Sequence, residues 1–153
     1  MKIKAMVVNA EIERNDKLNK VCSKFKDLLS ELRTKDLDPD IIKSINTKVE
    51  FLNSISDSPK SLINQIKKKQ YTILKHVEKE AKLVAKNHYR NLWLAIGMAA
   101  FGIPLGVAFG SVVGNMAFLG IGLPIGLAIG IAIGSSMDKK AKDEGRQLDF
   151  ELN

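Results

Sequence analysis

The chain lacks charge over its longest apolar stretch. Residues 92–137 contain no Asp, Glu, Lys, Arg or His, a run of 46 residues, whereas residues 1–91 contain 20 Lys and Arg against 12 Asp and Glu. Ten of the eleven glycines also fall within this uncharged run. The missing charge excludes an ordinary solvated surface there and divides the chain into a charged region and an apolar region.

Residues that carry chemistry are nearly absent. Cys22 is the only cysteine, and its place on the apolar face of a predicted helix favours a core position over redox sensing. His76 and His88 stand twelve residues apart without a second pair of ligands, which argues against a metal site. The sequence has no phosphate-cradling loop, nucleophile motif or catalytic pair of carboxylates. We therefore expect a protein that is not an enzyme and that binds no cofactor and no metal.

The uncharged run has the length of two membrane-spanning helices. A bilayer core needs about 20 apolar residues per helical span, so the run fits two spans joined by a tight turn. Gly114 and Asn115 are the least apolar pair near its middle, and both tolerate left-handed backbone angles. The sequence predicts spans over residues 92–113 and 116–137, with the turn at this pair.

Signal peptides and buried protein cores also contain apolar runs. A signal peptide would stand at the N-terminus, where the apolar stretch within residues 1–10 is too short. A buried core would need the mostly charged residues 1–91 to cover a hairpin that is apolar on nearly every face. The alternative that stays open is a hairpin shielded in a soluble state and released later into a membrane.

Basic residues flank the apolar run on both sides, and the predicted turn carries none. Positively charged flanks are retained on the cytoplasmic side of a membrane, so both termini, including a tail over residues 138–153, are expected in the cytoplasm. Aromatic residues near the start of the first span fit the interfacial belt. The predicted membrane-interface residues are Lys82, Lys86, Tyr89, Arg90, Trp93, Lys139 and Lys140.

Glycine recurs at every fourth position in both predicted spans. Helices in lipid associate through close van der Waals contact, and glycines four apart leave a groove for another helix backbone. The ridges either pack against each other within one hairpin or also pack against other copies. Further small residues beside them, such as Gly97 and Gly120, favour a homo-oligomer. The predicted ridges are Gly102, Gly106, Gly110 and Gly114, and Gly122, Gly126, Gly130 and Gly134.

A proline stands at the same place in each glycine repeat. A proline inside a helix removes one backbone hydrogen bond and crowds the preceding turn, which kinks the helix. An antiparallel hairpin would place the kinks at Pro104 and Pro124 at nearly the same depth. Matched kinks would bend the hairpin as a unit or expose carbonyls at one level of a pathway; inheritance of one bend by segment duplication accounts for them equally well.

The pattern G-[IL]-P-[IL]-G-x-A-x-G-x-x-x-G, written twice and followed by MDKKAKDEG, resembles small bacterial membrane proteins grouped as the glycine zipper family. The resemblance covers roughly residues 97–145, about a third of the chain. It implies membrane insertion and close helix association. We expect the protein in the bacterial inner membrane. The resemblance implies no biochemical activity for any residue.

Residues 1–91 have the apolar spacing of amphipathic helices. Asp38 before Pro39, and Ser58 before Pro59, are N-cap signals followed by proline at the first helical position. Because no Gly or Pro follows until Gly97, the third helix is predicted to enter the first span without a break. The expected fold is all-α, a helical bundle or coiled-coil region followed by a two-span hairpin, with helices over about residues 10–34, 39–56 and 59–91.

The formal charge of +7 and the run Lys67, Lys68 and Lys69 raise the question of nucleic acid. Aromatic residues are not interleaved with this run, so we expect a solvated face and no nucleic-acid partner. Membrane lipid is the expected partner of the hairpin.

Two functions remain open. The first is a homo-oligomeric assembly that forms a pore or perturbs the bilayer, favoured because an inert anchor would not need eight registered glycines. The alternative is a membrane-anchored interaction or scaffold protein without conducting activity, which binds a protein partner through residues 1–91. The absence of ionisable residues in the spans argues against a selective channel.

Overall fold

The computed structural model of the chain describes residues 1–7, 15–55, 58–115, 117 and 119–152. In this part of the chain, five helices and a two-stranded sheet belong to two compact units. The first unit is Met1–Val84 with Leu148–Phe150; the second is Ala85–Gln147 with the last residues of the chain. The expected all-α fold, with charged helices followed by an apolar helical hairpin, is confirmed.

Three amphipathic helices make up most of the first unit. Their apolar residues recur at three-four spacing, which puts them on one face of each helix and buries them. Phe25, Ile45 and Ile66 are fully buried, one from each helix, so all three helices contribute to one core. The helices are α1 (Asp16–Arg33), α2 (Pro39–Ser54) and α3 (Pro59–Ala81).

Side-chain caps mark the starts of the first two helices. The Asn15 side chain accepts a hydrogen bond from the Leu18 N–H at 3.1 Å, and the Asp38 carboxylate accepts one from the Asp40 N–H at 2.9 Å. Such bonds satisfy N–H groups that have no partner within the helix. The predicted start of the first helix near residue 10 lies outside the described residues.

The third helix does not continue into the apolar region, so the prediction of one unbroken helix over residues 59–91 is wrong. It ends at Ala81, and Lys82 takes a left-handed conformation with φ of 58°. A short strand, β1 (Val84–Lys86), follows, and Asn87 is also left-handed with φ of 60°. Neither break uses glycine or proline, which is why the sequence did not signal it.

Two long apolar helices follow as a hairpin. The first, α4, spans His88–Val113 and contains one turn of π-helix at Met98–Gly102. The second, α5, spans Leu119–Asp143. Gly114 ends α4 with φ of 70°, and the Asn115 N–H donates to the Gly110 carbonyl at 3.0 Å, so the predicted turn lies at this pair. The predicted start of the second span, Met116, lies outside the described residues.

The segment predicted as a cytoplasmic tail over residues 138–153 is largely regular structure. Helix α5 continues six residues past Met137 and ends in a Schellman motif, in which Gly145 has φ of 69° and the Arg146 N–H donates to the Ala141 carbonyl at 2.8 Å. The chain then forms β2 (Gln147–Glu151), which pairs with β1.

Candidate functional site: a glycine-packed hairpin

The contact between the two helices of the hairpin is formed by main-chain atoms. Among the described residues between 92 and 137, every buried residue is a glycine, and all other residues are exposed or half-buried. The buried set contains seven of the eight predicted ridge glycines together with Gly97. These residues are Gly97, Gly102, Gly106 and Gly110 on α4, and Gly122, Gly126, Gly130 and Gly134 on α5.

The two helices touch main chain to main chain in the middle of the hairpin. A Cβ atom added to Gly122 would lie 2.2 Å from the Gly102 oxygen and 2.4 Å from the Gly106 nitrogen. One added to Gly126 would lie 2.5 Å from the Gly97 oxygen. These distances leave no room for any side chain, so glycine is a steric requirement here.

Toward the open end of the hairpin, α5 keeps its glycines while α4 contributes other residues. A Cβ on Gly130 would stand 2.2 Å from the Trp93 oxygen, and one on Gly134 would stand 2.6 Å from the Tyr89 oxygen. The ridge on α5 is therefore used over its whole length within one chain. Of the two alternatives that the repeat left open, these contacts correspond to the one in which the ridges meet inside the hairpin.

The ridge on α4 differs from the predicted one at both ends. Gly114 stands in the turn, where it is exposed and an added Cβ would meet nothing within 4 Å, so it is not one of the buried contact glycines. Gly97, predicted to lie beside the ridge, belongs to it. The reason is the π-helical turn at Met98–Gly102, in which the Ile103 N–H bonds to the Met98 carbonyl. One extra residue in that turn brings Gly97 and Gly102, five apart, onto one face.

The two prolines lie at neighbouring levels but in different local structure. Gly102 and Gly106, which flank Pro104, both approach Gly122, so Pro104 lies at a depth close to that of Pro124. Pro104 follows directly after the π-helical turn, whereas Pro124 lies inside an α-helix. Because a π-turn relieves the crowding that a proline ring imposes on the preceding carbonyl, the two sites are not equivalent.

Asp138 closes the open end of the hairpin, and the sequence pattern did not single it out. Its carboxylate oxygens accept hydrogen bonds from the N–H groups of Tyr89 at 3.0 Å and Arg90 at 2.9 Å, in the first turn of α4. Asn87, the residue at the cap position itself, makes no side-chain cap bond. Asp138 is only 6% exposed. Its signal in the sequence is its spacing, since it stands four residues after Gly134 on the ridge face of α5.

The predicted interface residues do not form one group. Tyr89 and Arg90 lie beside Asp138, and Lys139 and Lys140 follow it, so these four share one end of the hairpin. Trp93 is half-buried one turn further along α4. Lys82 belongs to the first unit, at the end of α3, and Lys86 is exposed on β1.

A second polar contact near this end of the hairpin involves Arg146 and the side chain of Tyr89. The Arg146 guanidinium bonds to the Glu144 carboxylate, with Nε at 2.7 Å, and to the Tyr89 side chain. The bonds to Glu144, and next those to Tyr89, raise the pKa of Arg146 above its ordinary value. Arg146 links the chain after α5 to the first turn of α4.

The outer surface of the hairpin is apolar. Its large side chains include Phe101, Ile103 and Phe109, which are 40%, 49% and 46% exposed. By length and composition, both helices are long and apolar enough to cross a membrane. Within the described residues, no group of three or more His, Cys, Asp or Glu side chains is placed to hold a metal ion.

Comparison of the chain with protein-family models, with curated proteins and with solved structures finds no match. The resemblance of the hairpin to the glycine zipper family therefore remains a prediction from its repeated pattern.

Proposed function

We propose that the chain is an integral membrane protein whose hairpin, α4 and α5, crosses the bilayer. One observation carries this proposal: the helices bury only glycine between them, and their large apolar side chains face outward. Monomeric soluble proteins rarely expose apolar patches of more than a few hundred Å². Lipid tails supply the apolar surroundings that such a surface needs.

The role that this geometry supports best is an anchor for the helical first unit, which would bind a protein partner through residues 1–91. The glycine pattern first favoured an assembly of several copies, because an inert anchor has no evident need of eight glycines. The contacts supply that need within one chain, since any side chain at Gly122 or Gly126 would strike the opposite backbone. Hairpin closure is thus a sufficient reason for seven of the eight glycines, and Gly114 serves the turn.

A homo-oligomeric pore or membrane-perturbing assembly is the second candidate. The observation that favours it is a set of small residues that face outward, where a helix of another copy can approach closely. Since the spans contain no ionisable residue, such a pore would be lined by apolar groups or backbone and closed by dewetting. The outward small residues are Ala100, Ala108, Gly120, Ala128 and Ala132.

Liposome experiments separate these functions. The purified chain should float with liposomes and resist extraction by alkaline carbonate; extraction would support the soluble, shielded hairpin instead. An anchor gives no dye or ion flux. A pore built on the outward small residues gives flux that is lost in Gly120→Leu and Ala128→Leu, while the hairpin itself stays intact.

The remaining features of the proposal follow from charge and from the resemblance. We place the protein in the bacterial cytoplasmic membrane with both termini in the cytoplasm, because basic residues flank the hairpin at its open end and none stands at its turn. We propose no enzymatic activity, no cofactor and no nucleic-acid partner. In the run of three lysines, Lys69 lies over the ring of Phe51 at 4.1 Å, and Lys67 and Lys68 are exposed.

A further inference from the structure

The first exposed charges next to the uncharged run are positive on both helices of the hairpin. On α4, Arg90 stands two residues before Leu92, and its side chain is exposed. On α5, Lys139 and Lys140 follow within three residues of Met137, and both are exposed. The apolar surface of each helix is therefore bordered by cations at the open end of the hairpin.

Close packing of the two backbones brings these cations to one level. A Cβ added to Gly134 would lie 2.5 Å from the Arg90 Cα, and the Asp138 carboxylate, one turn further along α5, accepts the Arg90 N–H at 2.9 Å. Lys139 and Lys140 directly follow Asp138 in the same helix. We call Arg90, Lys139 and Lys140 the basic rim, because they stand within about one helical turn of this contact.

The acidic residue at this level is turned inward. Between residues 87 and 142, Asp138 is the only Asp or Glu. It is buried, and its oxygens accept the main-chain N–H groups at the start of α4. The next acidic residues along α5 and after it are Asp143 and Glu144, and Glu144 is paired with Arg146. Three outward cations against one inward carboxylate leave the rim with a net positive charge.

The cations of the basic rim are not paired with other described residues. The side chains of Arg90, Lys139 and Lys140 form no ion pair or hydrogen bond within the part of the chain that the structure describes. Guanidinium and ammonium groups bind phosphate oxygens through charge-assisted hydrogen bonds. Trp93, half-buried one turn deeper on α4, is a residue type that favours the headgroup level of a bilayer.

We propose that the basic rim binds the phosphate groups of anionic phospholipids in the leaflet at the open end of the hairpin. This inference rests on the proposed insertion of the hairpin into a bilayer. Anionic lipid attracts basic residues near the membrane surface, over a distance limited by the Debye length. Since the turn carries no basic residue, the hairpin would collect anionic lipid around its open end alone.

The single tryptophan of the chain, Trp93, reports on this lipid without a label. The full chain is reconstituted at low ionic strength into vesicles of equal parts phosphatidylglycerol and phosphatidylcholine, with bromine on the acyl chains of one lipid or of the other. Brominated chains quench a tryptophan that they contact, so quenching identifies the lipid beside Trp93. We expect phosphatidylglycerol to be favoured about two- to fivefold, and the preference to shrink as salt is added.

Two variants with the same loss of charge locate the binding surface. The rim variant should lose the preference while quenching by brominated phosphatidylcholine persists; it carries Arg90→Gln, Lys139→Gln and Lys140→Gln. The control variant removes three exposed lysines from α3 and should keep the preference; it carries Lys67→Gln, Lys68→Gln and Lys75→Gln.

Every other outcome overturns the inference. Equal quenching by the two lipids shows an inserted hairpin without lipid preference, which leaves the membrane proposal in place. A preference that persists in the rim variant belongs to another surface, and one that the α3 control loses equally is an effect of net charge. Quenching by neither lipid shows that the hairpin does not enter the bilayer, which contradicts both proposals.

Discussion

Asp138 is a buried carboxylate that caps a helix to which it does not belong. The N–H groups in the first turn of a helix lack partners within it and carry a partial positive charge. The usual solution is a side chain at the cap position, but Asn87 makes no such bond and Asp138 accepts from Tyr89 and Arg90 instead. Asp138 therefore caps the first turn of α4 and also connects α5 to it at the open end of the hairpin.

Replacement of Asp138 tests this role. We expect Asp138→Ala to lower the free energy of unfolding by about 2 kcal/mol, because two N–H groups lose a charged acceptor. Asp138→Asn keeps an oxygen acceptor and should lose less. The measurement is reversible unfolding in detergent, followed by circular dichroism. Asp143→Ala, an exposed aspartate at the end of α5, is the control, and an equal loss there would contradict the capping role.

Cys22 offers a second test at the residue scale. Burial raises the pKa of its thiol, against a smaller opposing effect of Lys26. We therefore expect slow alkylation by iodoacetamide in the folded protein and fast alkylation in urea. A thiol whose pKa is raised in the folded state stabilises the fold at pH values below the pKa of the unfolded thiol, about 8.5. That contribution to stability is lost as the pH rises further.

The same linkage predicts how a variant responds to pH. The difference in unfolding free energy between the native chain and Cys22→Ala should be constant below about pH 8 and shrink above it. A difference that grows with pH would mean that the folded environment favours the thiolate.

At the scale of the helix, the sequence predicted the ridge of α5 and only part of that of α4. A four-residue repeat identifies one face of a regular helix, and Gly122 to Gly134 lie on the face of α5 that approaches α4. The π-helical turn before Pro104 adds a residue to α4 and brings Gly97 onto the contact face. That register depends on a local change of helix type, which apolar spacing does not reveal.

Two alanine substitutions in α5 distinguish the effect of helix contact on stability from the effect of helix propensity. Gly126→Ala places a methyl group 2.5 Å from the Gly97 oxygen and should open the hairpin. Gly120→Ala meets nothing within 4 Å and should leave the hairpin closed with unchanged or slightly higher stability, because alanine favours the helix over glycine. The measurement is unfolding in detergent. Equal effects of the two substitutions would show that the glycines serve no contact.

The end of α3 is a second helix feature that the sequence did not predict. Its apolar spacing continues past Ala81 and no glycine or proline interrupts it, so local propensity favours one long helix. The break places Leu83 and Val84, 8% and 2% exposed, in or next to a strand that pairs with β2 from the end of the chain. A partner more than sixty residues away is a long-range contact that the local pattern does not encode.

For the whole molecule, charge predicts topology. The expected topology can be tested with single cysteines in a Cys22→Ala background. One cysteine replaces Asn115 in the turn, and the other replaces Lys140 after the second predicted span. With both termini inside, a membrane-impermeant maleimide should label Asn115→Cys in intact cells, and Lys140→Cys only after lysis. The reverse pattern would invert the proposed orientation, and equal labelling in intact cells would exclude a hairpin that crosses the bilayer.

The glycine interior also decides how the hairpin responds to temperature. Side chains that pack between two helices lose rotamer freedom, whereas glycine has none to lose, and in the proposed bilayer the outward Leu, Ile and Phe would keep theirs. The two backbones approach too closely to admit another atom between them, so closure rests on dispersion between backbones. The closed hairpin should therefore be favoured by enthalpy, with little entropic penalty from side chains, and warming should open it by backbone and lipid motion alone.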